Sequence, residues 1–403
     1  MSYEIMTPET LPQYLRSIPA IADFFGDGEL EVEEIGDGNL NFVFIVKSAD
    51  EPRKSLIVKQ AVPYLRCAGE DYALSRDRMK FEIRALQSYK IHAPRVYHAD
   101  EDMSLVVMQH LKSHKILRKG LIEKERYELF AEHISTFLAE TLFKTSSLYL
   151  QSDEKRALIE RFNENRELCK LTEDFVFTFP YMRNETNHIE PGCEEEAGRL
   201  FADTAFKQKV LRLKYIFMTQ TDALIHGDLH TGSIMVNKKE TFVIDPEFAF
   251  VGPFGFDIGA IIANLGSSYI SHRHLSGDSE YMEWVASLIK EIWERFEAKF
   301  LNLWRGTEKS ALIEPGFLPD GELERFRREF MRDLLRQSAG FAGCKMARRV
   351  FGIAGVEEIR GIEDPVLRKR AMMDALECGR RLVMEHERIE SIDDVVKIVK
   401  GAS

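Results

Sequence analysis

Residues 225–248, IHGDLHTGSIMVNKKETFVIDPEF, limit the possible folds more than any other part of the chain. Two aspartates, Asp228 and Asp245, stand in tight turns, one beside Gly227 and the other before Pro246. Each adjoins a short apolar run. SIMV, the polar turn NKKE and TFVID read as a two-strand hairpin. Such a hairpin lets both carboxylates face one cleft.

The rest of the chain supplies two different frames for that hairpin. Across residues 30–111 the pattern is strand-like: LEVEEIG alternates, GDGN turns, and NFVFIVKS, SLIVKQAV, PRVYHAD and SLVVMQHL follow as strands. One helical stretch, SRDRMKFEIRALQSY, interrupts them, with Met79, Ile83 and Leu86 on one face and Ser75 as its N-cap. Beyond residue 111 helical spacing dominates. Tyr127, Ala131, Ile134 and Leu138 predict a helix over 123–147, and further helices are expected over 254–268, 279–304, 321–340 and 366–386. Thr7 and Pro8 read as the N-cap and first residue of an N-terminal helix. The fold class is therefore α+β and bilobal. Residues 1–111 form a small lobe of an N-terminal helix and an antiparallel sheet. Residues 112–403 form a larger helical lobe. This is the layout of a kinase.

Composition narrows the function classes. The net charge of -11 argues against a general binder of nucleic acid or anionic membrane. The most apolar region, near residues 248–265, is broken by Gly252, Pro253 and Asp257, so no membrane span is expected. Five scattered cysteines without a CxxC pair indicate neither a disulfide framework nor a zinc knuckle. The N-terminus lacks a secretory pattern, and a cytoplasmic setting is expected.

Phosphoryl transfer from ATP needs donors around the phosphates, a cation, Mg²⁺ and a base near the acceptor hydroxyl. EIGDGNLNFVF lies between two strands, where Gly36 and Gly38 admit close backbone approach and Asn39 and Asn41 add amide donors. An ordinary hairpin turn accounts for the same residues. Lys59 stands inside an apolar strand and needs a counter-charge or a phosphate. Glu82 on the following helix is the obvious partner, or else a solvated face residue. Asp228 suits the base, while Asp245 and Glu247 offer hard oxygen ligands for Mg²⁺. His226 reads as a structural histidine that bonds the loop backbone. Asp257 either caps its helix or accepts N–H groups that fix Asp228.

HGDLHTGSI with IDPEF resembles the aminoglycoside phosphotransferase-like kinases, and among them the methylthioribose kinases. KQAVPY, RKGLIE, ELCKLTEDFVFT and EFAFVGPFGFDIG are similar to the same group, so the resemblance runs from about residue 32 to about residue 375. It implies phosphorylation of the anomeric hydroxyl of methylthioribose by ATP, a step of methionine salvage, in a homodimer. Asp228 is then the catalytic carboxylate, Lys59 the phosphate lysine, and Asp245 and Glu247 the metal acids. Ser233 occupies the place five residues after Asp228 where the wider group carries a metal-binding asparagine. The hinge strand, VVMQHLKS, departs from the acidic residue and DLS of relatives. Adjacent helical residues diverge by about 100 degrees, so the sequence by itself makes Arg348 and Arg349 a surface pair. The resemblance instead assigns them to the sugar hydroxyls and the reacting oxygen. Two alternatives stand beside this reading: a kinase for antibiotics, choline or homoserine, and a nucleotide-binding module without transfer. A cationic acceptor would be repelled by two arginines, and a mere binder has no need of the base.

Overall fold

In the computed structural model, residues 3–35, 41–65 and 69–401 are described. Gly36, Gly38 and Asn39 lie outside them. Two short helices, α1 (Leu11–Arg16) and α2 (Pro19–Phe25), precede strands β1 (Leu30–Glu34), β2 (Asn41–Ser48) and β3 (Ser55–Ala61). A small pair, β4 (Tyr64–Leu65) and β5 (Gly69–Ala73), leads into α3 (Arg78–Ser88), then β6 (Val96–Asp100) and β7 (Leu105–Gln109). The main sheet is wholly antiparallel, in the order β1-β2-β3-β7-β6.

Strand alternation sorts the two faces of this sheet. Phe44, Val46, Leu56, Val58, Leu105 and Val107 pack with Leu11 and Leu15 from α1. Each fully buried leucine there contributes about 1.5–3 kcal/mol. Lys59, Ala61 and Val106 have the opposite parity, and Ala61 and Val106 join the core that includes α3. Lys59 is thereby turned toward α3.

The helical part begins with β8 (Lys115–Ile116), α4 (Leu117–Ile122), α5 (Phe130–Lys144), α6 (Ser152–Phe162), α7 (Arg166–Phe175), α8 (Glu194–Ala202) and α9 (Thr204–Thr219). Short strands β9 (Ala223–Ile225), β10 (Ile234–Val236), β11 (Thr241–Val243) and β12 (Phe250–Gly252) carry the two aspartate turns. β10 pairs with β11 and β8, and β9 pairs with β12. The chain ends in α10 (Gly255–Leu275), α11 (Ser279–Arg305), α12 (Asp320–Phe351), α13 (Glu357–Arg360), α14 (Pro365–Glu385) and α15 (Ile392–Val399).

Several boundaries differ from expectation; the helix expected to end at residue 268, for one, runs on to Leu275. The regular first helix runs only from Leu11, but Thr7 has the capping role expected of it: Thr7 Oγ1 accepts the N–H groups of Glu9 and Thr10, and Thr7 O accepts that of Leu11. Asp77, not Ser75, precedes α3, and Ser75 Oγ accepts the Asp77 N–H instead. The helix expected from residue 123 begins at Phe130, since Lys124 has φ +59 and Glu125 N–H turns back onto Gly120 O. The helix expected to stop at Gly340 runs on to Phe351. Its glycines serve packing, not termination. A Cβ on Gly343 would stand 2.5 Å from Gly379 O, and one on Gly379 would stand 2.9 Å from Gly343 O. Bare backbones thus let α12 and α14 meet closely.

Candidate active site

Lys59 is buried in β3 and donates to both carboxylate oxygens of Glu82, at 2.9 and 2.7 Å. It also pairs with Asp245. Glu82 is fully buried, so it is not a solvated face residue. Burial opposes charge on both partners. It pushes Glu82 up to about 8 despite Lys59, whereas Asp245 and Glu82 overcome it at Lys59 and hold that amine above its ordinary range.

Glu82, Asp245 and Glu247 bring carboxylate oxygens within 4.8 Å of one another. Glu247 is buried and accepts from Asn41 Nδ2 at 2.9 Å, with Arg78 Nε at 3.6 Å. Its main-chain oxygen is held by Asn165 Nδ2 at 2.9 Å. Burial, and then the Asp245 charge, push Glu247 up to about 7. Three crowded acids with only Lys59 and Arg78 beside them among the described residues suit a divalent cation, and Asp245 keeps nearly half of its side chain exposed. The donor set fits Mg²⁺, which takes hard oxygen ligands and keeps several waters. Ser233 is oriented otherwise. Its hydroxyl lies 3.2 Å from Asp228 O, to which it donates, and 3.3 Å from His230 Nδ1.

Asp245 has φ +66, a conformation uncommon for any residue but glycine and tolerated by Asp and Asn. His226 helps to hold it. The ring Nε2 lies 2.9 Å from Ile244 O, and Nδ1 accepts the Asp228 N–H at 3.3 Å. One imidazole therefore ties both aspartate turns together. Asp257 accepts the N–H groups of His226 and Gly227, at 2.6 and 3.0 Å. Of its two readings, the loop anchor is the one this geometry realises. Gly227 itself has φ +83, and a Cβ there would stand 2.2 Å from Phe248 O.

The surroundings of Asp228 are the reverse of those of Asp245. Its Oδ1 lies 3.2 Å from Lys345 Nζ and 3.9 Å from Arg348 Nη2, while Oδ2 lies 3.4 Å from His230 Nε2. Burial raises its pKa, but Lys345, Arg348 and Arg349 prevail and hold it well below the usual carboxylate range. His230 is pushed down to about 3, first by burial, and so stands neutral; its Nδ1 accepts the Gly232 N–H. Arg348 is buried, with no hydrogen-bond acceptor for Nε among the described residues. Arg349 is half-buried and donates to Ala354 O at 3.2 Å. Neither is a solvated surface residue.

Burial and then Arg348 push Arg349 down to about 9. A guanidinium does not give up its proton in a protein, so the crowding marks a local shortage of negative charge. Arg118, at the start of α4, adds a further cation 3.4 Å from buried Glu358. Two residues here escaped the sequence reading. Lys345 was legible in principle, since it stands in the small and apolar run AGFAGCKMA three places before Arg348, on the same helix face. Arg118 opens RKGLIE, a stretch the resemblance marks without giving this arginine a role.

The profile of the Phosphotransferase enzyme family matches residues 31–278. The chain is similar to methylthioribose kinase 1 of Oryza sativa subsp. japonica, with 39% identity over 97% of this chain and 94% of that one. It is 40% identical to the methylthioribose kinase of Escherichia coli O45:K1 (strain S88 / ExPEC), over 99% of this chain and 98% of that one. The methylthioribose kinase of Geobacillus sp. (strain WCH70) is 40% identical over 91% and 89%.

Proposed function

The chain belongs to the methylthioribose kinases of the Phosphotransferase enzyme family, and we propose that it transfers the γ-phosphate of ATP to the anomeric hydroxyl of S-methyl-5-thioribose. It is an ATP-dependent kinase for a small molecule. The observation that carries the site assignment is the contrast between its two aspartates. Asp245 stands among acids, where a metal is wanted. Asp228 stands among cations, where an acceptor hydroxyl and a transferring phosphoryl group are wanted.

In this reading Lys59, oriented by Glu82, binds the nucleotide phosphates, and Asn41 belongs to the nucleotide-binding set with Gly36, Gly38 and Asn39. Asp245 and Glu247 hold Mg²⁺, which when bound neutralises phosphate charge; Ser233 reaches it only if its hydroxyl leaves Asp228 O. Asp228 accepts the proton of the anomeric hydroxyl as that oxygen attacks. Arg348 and Arg349 bind the sugar and offset charge at the reacting oxygen. Residues 1–111 act as the nucleotide lobe and residues 112–403 as the catalytic and substrate lobe. A cytoplasmic homodimer that binds neither nucleic acid nor membrane completes the proposal. Among the described residues no helix is long and apolar enough to cross a membrane.

The test is ATP consumption with Mg²⁺ over methylthioribose, ribose, choline and an aminoglycoside, with the product located by ³¹P NMR. A sugar 1-phosphate from methylthioribose is expected. Turnover of only choline or the antibiotic would overturn the assignment.

A further inference from the structure

Lys345 belongs to none of the sets assigned above, yet its ammonium is nearer to Asp228 than either arginine is. The 3.2 Å approach to Oδ1 compares with 3.9 Å for Arg348. The side chain is only 4% exposed, and its Nζ lies 4.2 Å from the centroid of the Phe256 ring. The surrounding run of α12, from Phe341 to Ala347, is otherwise apolar and buried. An apolar residue would fit this position without the cost of burying an ammonium, so stability alone does not explain the charge.

An ammonium has three donors. Among the described residues Lys345 makes one hydrogen bond, to Asp228. The groups that face it are Asp228 and His230 from the loop, Asp257 and the Phe256 ring from α10, and Arg348 and Arg349 on its own helix. His230 is neutral and contributes no charge of its own.

We propose that Lys345 is a further positioning residue for the transfer, fixing one oxygen of Asp228 so that the other meets the acceptor hydroxyl, and placing its remaining donors beside the acceptor oxygen. The proposal rests on the kinase reading above. The acceptor O–H bond breaks and its proton passes to Asp228 Oδ2. The new O–P bond forms as the bond from the γ-phosphorus to the bridging oxygen breaks, and that electron pair leaves with ADP. Lys345 stays protonated throughout and moves no proton. Its work is geometric and electrostatic.

The experiment compares the parent with Lys345→Met, which keeps the length and the packing on Phe256, and with Lys345→Ala. Steady-state kinetics with each substrate varied in turn are read beside ADP binding by calorimetry and the thermal transition. For Lys345→Met, kcat is expected to fall by at least about 100-fold, within the range for such assistance. The ATP KM and the ADP dissociation constant should stay within about twofold of the parent, because neither measures the reacting oxygen. Added ethylammonium should restore at least about tenfold of the lost kcat in Lys345→Ala.

A parent-like kcat in Lys345→Met overturns the proposal. So does a loss of turnover that travels with lost ADP binding and a lowered transition, since that marks a folding role. An Ala variant that binds ADP normally but gains nothing from the amine overturns the charge role. The parent's own turnover of methylthioribose tests the kinase reading separately. The ratio of variant to parent is taken on whichever hydroxyl acceptor the parent phosphorylates.

Discussion

Asn41 in β2 donates its side-chain amide to Glu247 Oε2 at 2.9 Å, and its own Oδ1 accepts from Arg78 Nε of α3 at 3.1 Å. One side chain thus joins strand, helix and the acidic turn that lies 206 positions later. The small lobe is positioned on the helical part through the carboxylates that suit the metal. If these carboxylates hold the metal as proposed, nucleotide binding and lobe placement are coupled.

Asn41→Ala should therefore affect both. Glu247 is buried and, among the described residues, keeps only Arg78 and Lys59 against its charge when Asn41 is lost. Leaving a buried acceptor without its donor costs about 1–3 kcal/mol. The expected result is a loss of that size in urea denaturation together with a rise of at least about fivefold in the KM for MgATP, a proportion set by the same energy. Asn41→Asp should be worse, because it adds a fourth acid to the cluster. An unchanged KM in a destabilised protein would confine Asn41 to folding.

Asp228→Asn separates chemistry from stability in a less familiar way. Removing the charge should lower turnover by about 10²–10⁴-fold. It should also destabilise the protein, because Lys345 and Arg348 lose the carboxylate they approach and Arg349 loses a neighbouring anion. Asp228 has a depressed folded pKa, so its stabilisation is fully present above the unfolded value and is lost as pH falls through the folded one. At neutral pH the variant forfeits it, by about 1.5–3 kcal/mol on the scale of a charge-assisted hydrogen bond. Adding Lys345→Met should return stability but not turnover, and a double-mutant cycle in denaturant reads that coupling. Additive losses would separate the two side chains.

Gly227→Ala tests the turn that aims Asp228. At φ +83 an L side chain is strained by about 1–3 kcal/mol, and the new Cβ would also strike Phe248 O. Relief requires the loop to move away from the turn at Phe248, dragging the His226 and Gly227 N–H groups off Asp257. Turnover should fall by at least about 100-fold, the scale on which a misplacement of about 1 Å acts. ADP binding, which the proposed function gives to Lys59 and not to this loop, should persist. A fully active Ala variant would show that the turn has room to adapt.

Much of this arrangement was legible because it is local. Strands β2, β3, β6 and β7 follow from two-residue alternation, and Asp228 and Asp245 are marked by the turns around their hairpin. Lys59 announced itself as a charge inside an apolar strand. What periodicity could not show is which helix face meets which turn. The extension of α12 past Gly340 is decided by its bare-backbone contact with α14, a tertiary event. That extension places Lys345, Arg348 and Arg349 on one continuous helix. Ser233 shows a different limit, since its position in the motif suggests a metal ligand while its hydroxyl satisfies its own loop.

The two arginines can now be ranked. The resemblance gives them one shared role, but their surroundings differ. Arg348 is buried, and Nη2 approaches Asp228 Oδ1 to 3.9 Å. Arg349 spends Nη1 on Ala354 O and so also braces the turn after α12. Arg348→Ala should raise the methylthioribose KM or lower kcat at least about tenfold, the equivalent of one charge-assisted hydrogen bond, while the ATP KM stays nearly constant. Arg348→Lys should recover little, because an ammonium cannot reproduce the planar fork. Arg349→Ala should show the same kinetic direction together with faster proteolysis or hydrogen exchange in residues 352–356, which a purely sugar-binding arginine would not cause. Steady-state kinetics and exchange on both variants decide the ranking. If Arg348→Ala keeps the parent KM and kcat while Arg349→Ala loses both, Arg349 is the residue that faces the sugar and the order is reversed.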